Sequence, residues 1–449
     1  SVTNYDFSDK GLLPNSHDTQ VAGIIVSQGS AQHPDCLGIA PDSRIHSARI
    51  SDGALSATVL DRALEQLIAN QGCKIVVTGV QLASSSSTPN GSSTWAKMYD
   101  FYAEEYDVIF ANASGNSETV VTVFGDGYNG LTTGGLALDA QGEYRIVGSI
   151  SNPGPTSDGR QKPDITAPAH ELMVPNASST TAWSNAGTSA GQTSFAAPHT
   201  AGVAALLLER AGQTTTPYDN KSLTIKAIMI NTANPNLFDK SRNWTNPGQT
   251  VWHPHRGFGR LDAGRALALL NAGRIRAGTT PLTIQAGWSF EKLSYYDQDT
   301  YRIKADKKQR MVLTLTWHRK LIRYSATAYA EEVPRFNLLL QVKAPDGRIL
   351  FTESLLKDNV RKADLLLPAD GIYEILIQNQ SYQKNREYAL AIELIDPLEG
   401  DLNDDYQVDV LDIPVFSERW LGGQAGPYYS SAEITTYEDF ALLSTNWLS

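Results

Sequence analysis

The hydrophobic pattern of this chain changes period once, near residue 279, and no single sheet satisfies both halves. Before that point short apolar runs alternate with helical stretches. Residues 63–70 lead into the run 75–77, and residues 95–105 lead into 108–110. Brief buried strands separated by helices predict a parallel α/β sheet flanked by helices. After Gly278-Thr279-Thr280-Pro281 the side chains alternate with period two, most strictly over 311–317. Residues 336–342 and 348–351 flank Pro345-Asp346-Gly347, a hairpin pattern, and further runs follow at 365–367, 372–377 and 388–395. Roughly seven short strands of this kind predict a small β-sandwich or jelly roll. A third change, to an acidic loop, begins at Asp396-Pro397.

A chain of 449 residues is too long for one core. The expected division is an α/β domain over 1–278, an all-β sandwich over 279–396 and a small helical module over 397–449. A formal charge of −11 argues against nucleic acid and against an anionic membrane surface. No apolar run is long enough to span a bilayer, and residues 1–11 are too polar and acidic for a signal peptide. Cys36 and Cys73 are too few for a disulfide scaffold, and leave open one bridge or two free thiols.

Three segments carry residues suited to chemistry. In the first, Gln192-Thr193-Ser194-Phe195-Ala196-Ala197-Pro198-His199 runs into an apolar stretch, and small residues with an early proline predict a helix start. Ser194 then sits where backbone N–H groups and the helix dipole favour an oxyanion, or else it is a capping serine. Ser16-His17-Asp18-Thr19-Gln20-Val21-Ala22-Gly23 opens a second small-residue helix with a histidine. Ala113-Ser114-Gly115-Asn116 follows a buried strand and offers a side-chain amide, which a turn or a helix cap would also explain.

Together these segments resemble the subtilisin family of serine peptidases, whose H-G-T-x-V-A-G, A-G-N and G-T-S-x-A-x-P motifs occur in that order. Gly38-Ile39-Ala40-Pro41, Lys162-Pro163-Asp164-Ile165-Thr166-Ala167-Pro168 and Gly257-Phe258-Gly259-Arg260 are similar to further stretches of the family. The resemblance covers roughly residues 15–272 and implies a mechanism. Ser194 attacks the scissile carbonyl, His17 takes its proton and returns it to the leaving amine, and Asn116 with the Ser194 amide holds the oxyanion. It also implies that substrate backbone lies along Val80-Gln81-Leu82, with Ala113, Ser114 and Gly115 opposite.

The pattern departs from the family in one large respect. The family's aspartate ends a strand well before the histidine, yet only sixteen residues precede His17. Asp6 and Asp9 lie there with no apolar strand before them and are expected in a loop. The third triad member is therefore expected on a separate N-terminal fragment of the same precursor, cleaved before Ser1 and still bound, unless the chain is an incomplete record. Asp18 and Gln20 follow the histidine where glycine and histidine are usual, Gln192 replaces the glycine before Thr193-Ser194, and Asp18 competes for the imidazole's hydrogen bond. Gly187-Thr188-Ser189 mimics part of the serine motif but lacks the following A-x-P.

Asp401-Leu402-Asn403-Asp404-Asp405-Tyr406-Gln407-Val408-Asp409-Val410-Leu411-Asp412 sets oxygen donors at loop positions 1, 3, 5, 9 and 12. Asp401, Asn403, Asp405, Asp409 and Asp412 supply side chains and Gln407 a backbone carbonyl, which predicts one bound Ca²⁺. The loop resembles a dockerin repeat, and a dockerin-binding partner is expected. His253 and His255 flank Pro254 beside Trp252 and are read as a loop.

Two functions are consistent with these residues. One is an extracellular or cell-envelope serine endopeptidase acting on protein or peptide substrates. The other is a catalytically silent scaffold of the same fold that binds peptides or partner proteins.

Overall fold

The structure is a computed structural model that describes residues 2–8, 11, 15–51, 55–78, 88–117, 119–146, 150–187, 192–237, 251–331, 336–382 and 384–397. Its first part holds strands β1 (Val2–Asp6), β2 (Ile45–Arg49), β3 (Ile75–Thr78), β4 (Ile109–Ala113), β5 (Leu131–Leu138), β6 (Tyr144–Ile146), β7 (Ile165–Pro168), β8 (Leu172–Pro175) and β9 (Trp183–Ala186). The helices are α1 (Ser16–Val26), α2 (Ala57–Leu64), α3 (Thr94–Glu105), α4 (Thr193–Gly212), α5 (Ser222–Asn231) and α6 (Ala263–Ala272). α2 runs on into a wider π-helical stretch, Glu65–Asn70.

Strands β3, β4, β5 and β7 pair in parallel, Ile75 opposite Ile109, Ala111 opposite Leu131 and Thr133 opposite Ile165. β6 adds to β5 antiparallel. The strands are short and apolar because helices cover the sheet: Val203, Ala204 and Leu207 of α4 share a core cluster with Ile109, Leu131 and Ile165. Polar residues also bind here, with the Thr133 and Thr200 hydroxyls 2.8 Å apart.

The N-terminal segment differs from expectation. Residues 2–6 form a strand rather than a loop, paired parallel with β2 and ending at Asp6. No residue of β1 or β2 is buried, so the ladder itself and the Tyr5 hydroxyl, 3.3 Å from His46 Nδ1, hold the pair together. A strand stabilised in this way has no hydrophobic signature. Asp9 lies outside the described residues.

The second part is β-rich. Its strands are β10 (Ala286–Leu293), β11 (Gln298–Ala305), β12 (Arg310–Trp317), β13 (Leu321–Ser325), β14 (Ala328–Glu331), β15 (Leu338–Lys343), β16 (Ile349–Glu353), β17 (Val360–Leu366), β18 (Gly371–Asn379) and β19 (Arg386–Ile395). They build two four-stranded antiparallel sheets, ordered β10-β19-β12-β17 and β11-β18-β15-β16, and a β13-β14 hairpin. The expected hairpin at Pro345-Asp346-Gly347 joins β15 to β16, and Gly347 takes the left-handed φ of +84° that its turn requires.

β19 shows how the β-rich part meets the first. Tyr388, Leu390 and Ile392 face Leu313, Ile375 and Val342 in the cluster between the two sheets. The alternate residues Ala389 and Ala391 face the other way, into a cluster with α5, α6, Trp288, Phe290 and Val360. All ten residues of α5 are buried as a result. Ile275, just before the expected boundary at 278, already packs with the β-rich core.

Polar groups are matched across the same seam. Lys362 donates to the terminal carbonyls of α5, at 2.8 Å to Ile230 and 3.1 Å to Asn231. Arg319 pairs with the buried Asp100 of α3, and Arg323 of β13 pairs with Asp61 of α2.

Candidate active site

Small residues set the positions of the two helices that carry the expected site. A Cβ at Gly23 of α1 would stand 2.6 Å from Pro175 Cδ, and one at Gly202 of α4 would stand 2.5 Å from Ile39 Cβ. Both helices pack closer than a larger residue permits, which fixes their N-termini.

Asn15 caps α1, its side chain accepting from the Asp18 amide at 3.2 Å, so His17 stands in the first turn. Its ring lies 5.3 Å from that of Phe195, the residue after Ser194. Ser194 is only 5% exposed, whereas the His17 side chain is 36% exposed. The imidazole is thus open to solvent beside a serine recessed in the first turn of α4.

Asn116 joins the same corner from the sheet. β4 ends at Ala113, the chain turns at Gly115 with a φ of +109°, and the Asn116 side chain reaches the start of α4. Its Oδ1 accepts from the Thr193 amide at 2.7 Å and from the Thr193 hydroxyl at 2.9 Å. The helix cap is therefore Asn116, since Gln192 makes no side-chain cap bond. With Oδ1 fixed, the amide nitrogen stays available to a bound oxygen. Pro198 lies inside α4 and has no N–H to give the carbonyl four residues back, that of Ser194.

The expected substrate-side residues separate into two groups. Val80, Gln81 and Leu82 lie outside the described residues. Ser114 is engaged internally: its amide donates to the Thr133 carbonyl at 3.1 Å and its hydroxyl lies 3.1 Å from that of Ser151. Gly115 donates to Thr193 Oγ1 at 3.1 Å and accepts from the Asn152 amide at 2.8 Å. Ala113 closes β4, half-buried. Thr193 and Asn152 were not among the expected site residues. Thr193 adjoins the serine motif, while Asn152, which reaches the Val120 carbonyl at 2.8 Å, has no sequence signal.

No carboxylate among the described residues makes a hydrogen bond to His17. Asp18 Oδ1 is 3.7 Å from His17 Nδ1, too far for one, and its side chain is 75% exposed. Asp6 organises its own turn, accepting from the Ser8 hydroxyl at 2.6 Å, the Ser8 amide at 2.8 Å and the Gly11 amide at 2.6 Å. The Ser8 bonds foremost hold its pKa below the usual carboxylate value. Among the described residues β2 pairs only with β1, and β3 only with β4.

Nearby, the half-buried His199 has Nδ1 2.9 Å from the Phe195 carbonyl, and desolvation draws its pKa down to about 4. The neutral ring therefore donates from Nδ1 into the turn that carries Ser194. Cys36 and Cys73 are both free thiols. Among the described residues no group of three or more His, Cys, Asp or Glu side chains is placed to hold a metal. Asp401, Asn403, Asp405, Gln407, Asp409 and Asp412 lie outside the described residues. His253 and His255 sit in a loop, rings 5.9 Å apart.

Comparison with known proteins identifies the family. The model of the subtilase family, Peptidase_S8, matches residues 3–259. The thermophilic serine proteinase of Bacillus sp. (strain AK1) is 27% identical over 209 residues, which cover 46% of this chain and 46% of that protein. Pyrolysin of Pyrococcus furiosus is 25% identical over 201 residues, covering 39% of this chain and 14% of pyrolysin. The chain thus spans about half or less of the length of these relatives. Among solved structures, the Clostridium perfringens CspB protease is 15% identical with a TM-score of 0.48, covering 58% of this chain and 82% of that one. The protease domain of PatA is 23% identical with a TM-score of 0.45, covering 60% and 87%. With its family model matched over more than half its length, the chain belongs to the subtilase family.

Proposed function

We propose that this chain is a serine endopeptidase that cleaves protein or peptide substrates through an acyl-enzyme on Ser194. The observation that carries the reading is the convergence at the N-terminus of α4, where Asn116 caps Thr193 and His17 stands against Phe195. Ser194 Oγ attacks the scissile carbonyl as His17 takes its proton. The Asn116 amide nitrogen and the Ser194 N–H receive the oxyanion, and His17 then protonates the departing amine. Water attacks the acyl-enzyme by the same route in reverse.

The third triad member is proposed to come from a polypeptide segment outside these residues, an N-terminal fragment of the same precursor. Two facts support this: Asp6 is committed to its own turn, and β2 and β3 each lack a second neighbour among the described residues. The site of action is proposed to be extracellular or in the cell envelope. The spacing of Asp401, Asn403, Asp405, Gln407, Asp409 and Asp412 supports a dockerin-like loop that binds one Ca²⁺ and a partner protein.

A second reading, a catalytically silent subtilase scaffold that binds peptides, is favoured by the distance and exposure of Asp18 beside His17. The two separate with a fluorophosphonate probe and mass mapping of the native protein. Labelling at Ser194 that is lost in His17→Ala supports the enzyme. Native protein that binds calcium and stays unlabelled would leave the scaffold reading in its place. Native mass spectrometry of the same sample tests for the bound N-terminal fragment.

A further inference from the structure

A second cleft, of 710 Å³, opens at the seam between the two parts and takes no residue from α1 or α4. The end of α3 and the start of α5 form one wall, and the β10–β11 and β18–β19 turns form the other. Its volume falls in the range that holds small ligands.

Charge narrows the occupant. Four carboxylates, of Glu104, Glu105, Asp107 and Glu387, face three lysines and Arg386. Several are already paired: Asp107 with Lys221 at 3.2 Å, Glu387 with Lys292 at 2.9 Å and Glu104 with Arg386 at 3.9 Å. The lining's four carboxylates and four cationic side chains balance in formal charge, and donors and acceptors are both plentiful. The floor adds His318, 7% exposed, whose ring makes no hydrogen bond among the described residues. It adds a polar side chain with unused hydrogen-bonding capacity to the cleft.

The mouth is aromatic. Tyr295, Tyr296 and Tyr382 are 45%, 53% and 71% exposed, on the two turns that frame the opening. Tyr296 and Tyr382 meet edge to face at 5.2 Å, and Lys384 lies 4.8 Å from the Tyr295 ring centre. Tyr296 holds a left-handed φ of +50°, an uncommon conformation for a tyrosine that turns away from the core. Exposed tyrosines offer a flat apolar face with a polar rim.

We propose that this cleft binds a neutral glycan chain. A pyranose ring has an apolar face of C–H groups, which stacks on Tyr295 and Tyr382, and a rim of hydroxyls that both donate and accept. Paired charges and an unpartnered imidazole match such a rim without needing a charged ligand. The proposal is independent of peptidase activity, because the site shares no residue with His17, Ser194 or Asn116.

The test is affinity electrophoresis of the full chain in native gels containing hydroxyethylcellulose, xylan, galactomannan or glycol chitin, with casein as the protein control. At least one polysaccharide is expected to retard the protein. The double variant Tyr295→Ala/Tyr382→Ala, at exposed positions, is expected to weaken that binding by about tenfold or more. An unchanged near-ultraviolet spectrum would show it folded. Absence of retardation in all four gels overturns the proposal, as does retardation that ignores the tyrosines. Retardation by casein that depends on the tyrosines also overturns it, making the cleft a peptide site.

Discussion

Replacing His318 with glutamine should flatten part of the acid sensitivity of this protein. Burial first, then the charge of Lys226, pulls the His318 pKa down to about 3, with Arg386 and Lys221 adding to the effect and Asp107 opposing it. In the unfolded chain the ring titrates near 6.5. Between those values the unfolded state binds the proton and the folded state does not, so stability is full above pH 6.5 and falls as pH drops towards 3. Integrated from pH 7 to pH 5, this one group costs about 2 kcal/mol of folding stability. Glutamine keeps a polar side chain but cannot titrate. His199 and His253, each drawn down mainly by burial to about 4, contribute equally in both proteins and cancel in the difference. So does Asp126, raised to about 6 chiefly by burial, whose effect runs the other way. Urea midpoints followed by tryptophan fluorescence at pH 7, 6 and 5 give the comparison. The wild-type protein should lose about 2 kcal/mol more than His318→Gln over that range. Parallel curves would show that the folded ring titrates as it does in the unfolded chain, and the account of a His318 held uncharged by burial would be wrong.

Other outcomes follow from the same contacts. Asn116→Ala should lower kcat by about 10²–10³ through loss of an oxyanion donor, and the lost cap on α4 should cost about 1 kcal/mol in denaturant titrations. Arg319→Met leaves the buried Asp100 without its guanidinium and should cost ~3–5 kcal/mol. Arg348→Met, at an exposed pair 4.0 Å long, should cost less than ~1 kcal/mol, and equal melting temperatures for the two variants would refute the distinction. Isothermal titration should find one Ca²⁺ per chain, abolished by Asp401→Ala with Asp412→Ala, and a stoichiometry of zero or two contradicts the loop assignment.

What the sequence disclosed follows physical lines. The close packing of α1 was legible because Gly23 must meet Pro175 without a Cβ between them, and such contacts restrict residue type. The strand at 311–317 was legible through its alternation of residue types, although all seven residues are buried, and the turn at Gly347 through its backbone sign. β1 was hidden because its stability comes from main-chain pairing and Tyr5–His46, neither of which selects apolar residues. Asn116 was found as an amide after a strand, but its capping of Thr193 depends on a contact 77 residues away in sequence. The seam was hardest to see. Ala389 and Ala391 read as one face of a strand, and only the fold shows that this face closes over α5.

That closure has a temporal side. β19 is the last strand described, yet it lies inside its sheet, between β10 and β12, against a helix formed more than 150 residues earlier. A chain emerging from the ribosome therefore carries the β19-facing side of α5 uncovered until residue 395 is out. Final packing of α5 is tied to the completion of a distant segment, and long-range pairing of this kind is slow. A chain truncated before β19 should therefore leave the face of α5 that meets Ala389 and Ala391 open to solvent.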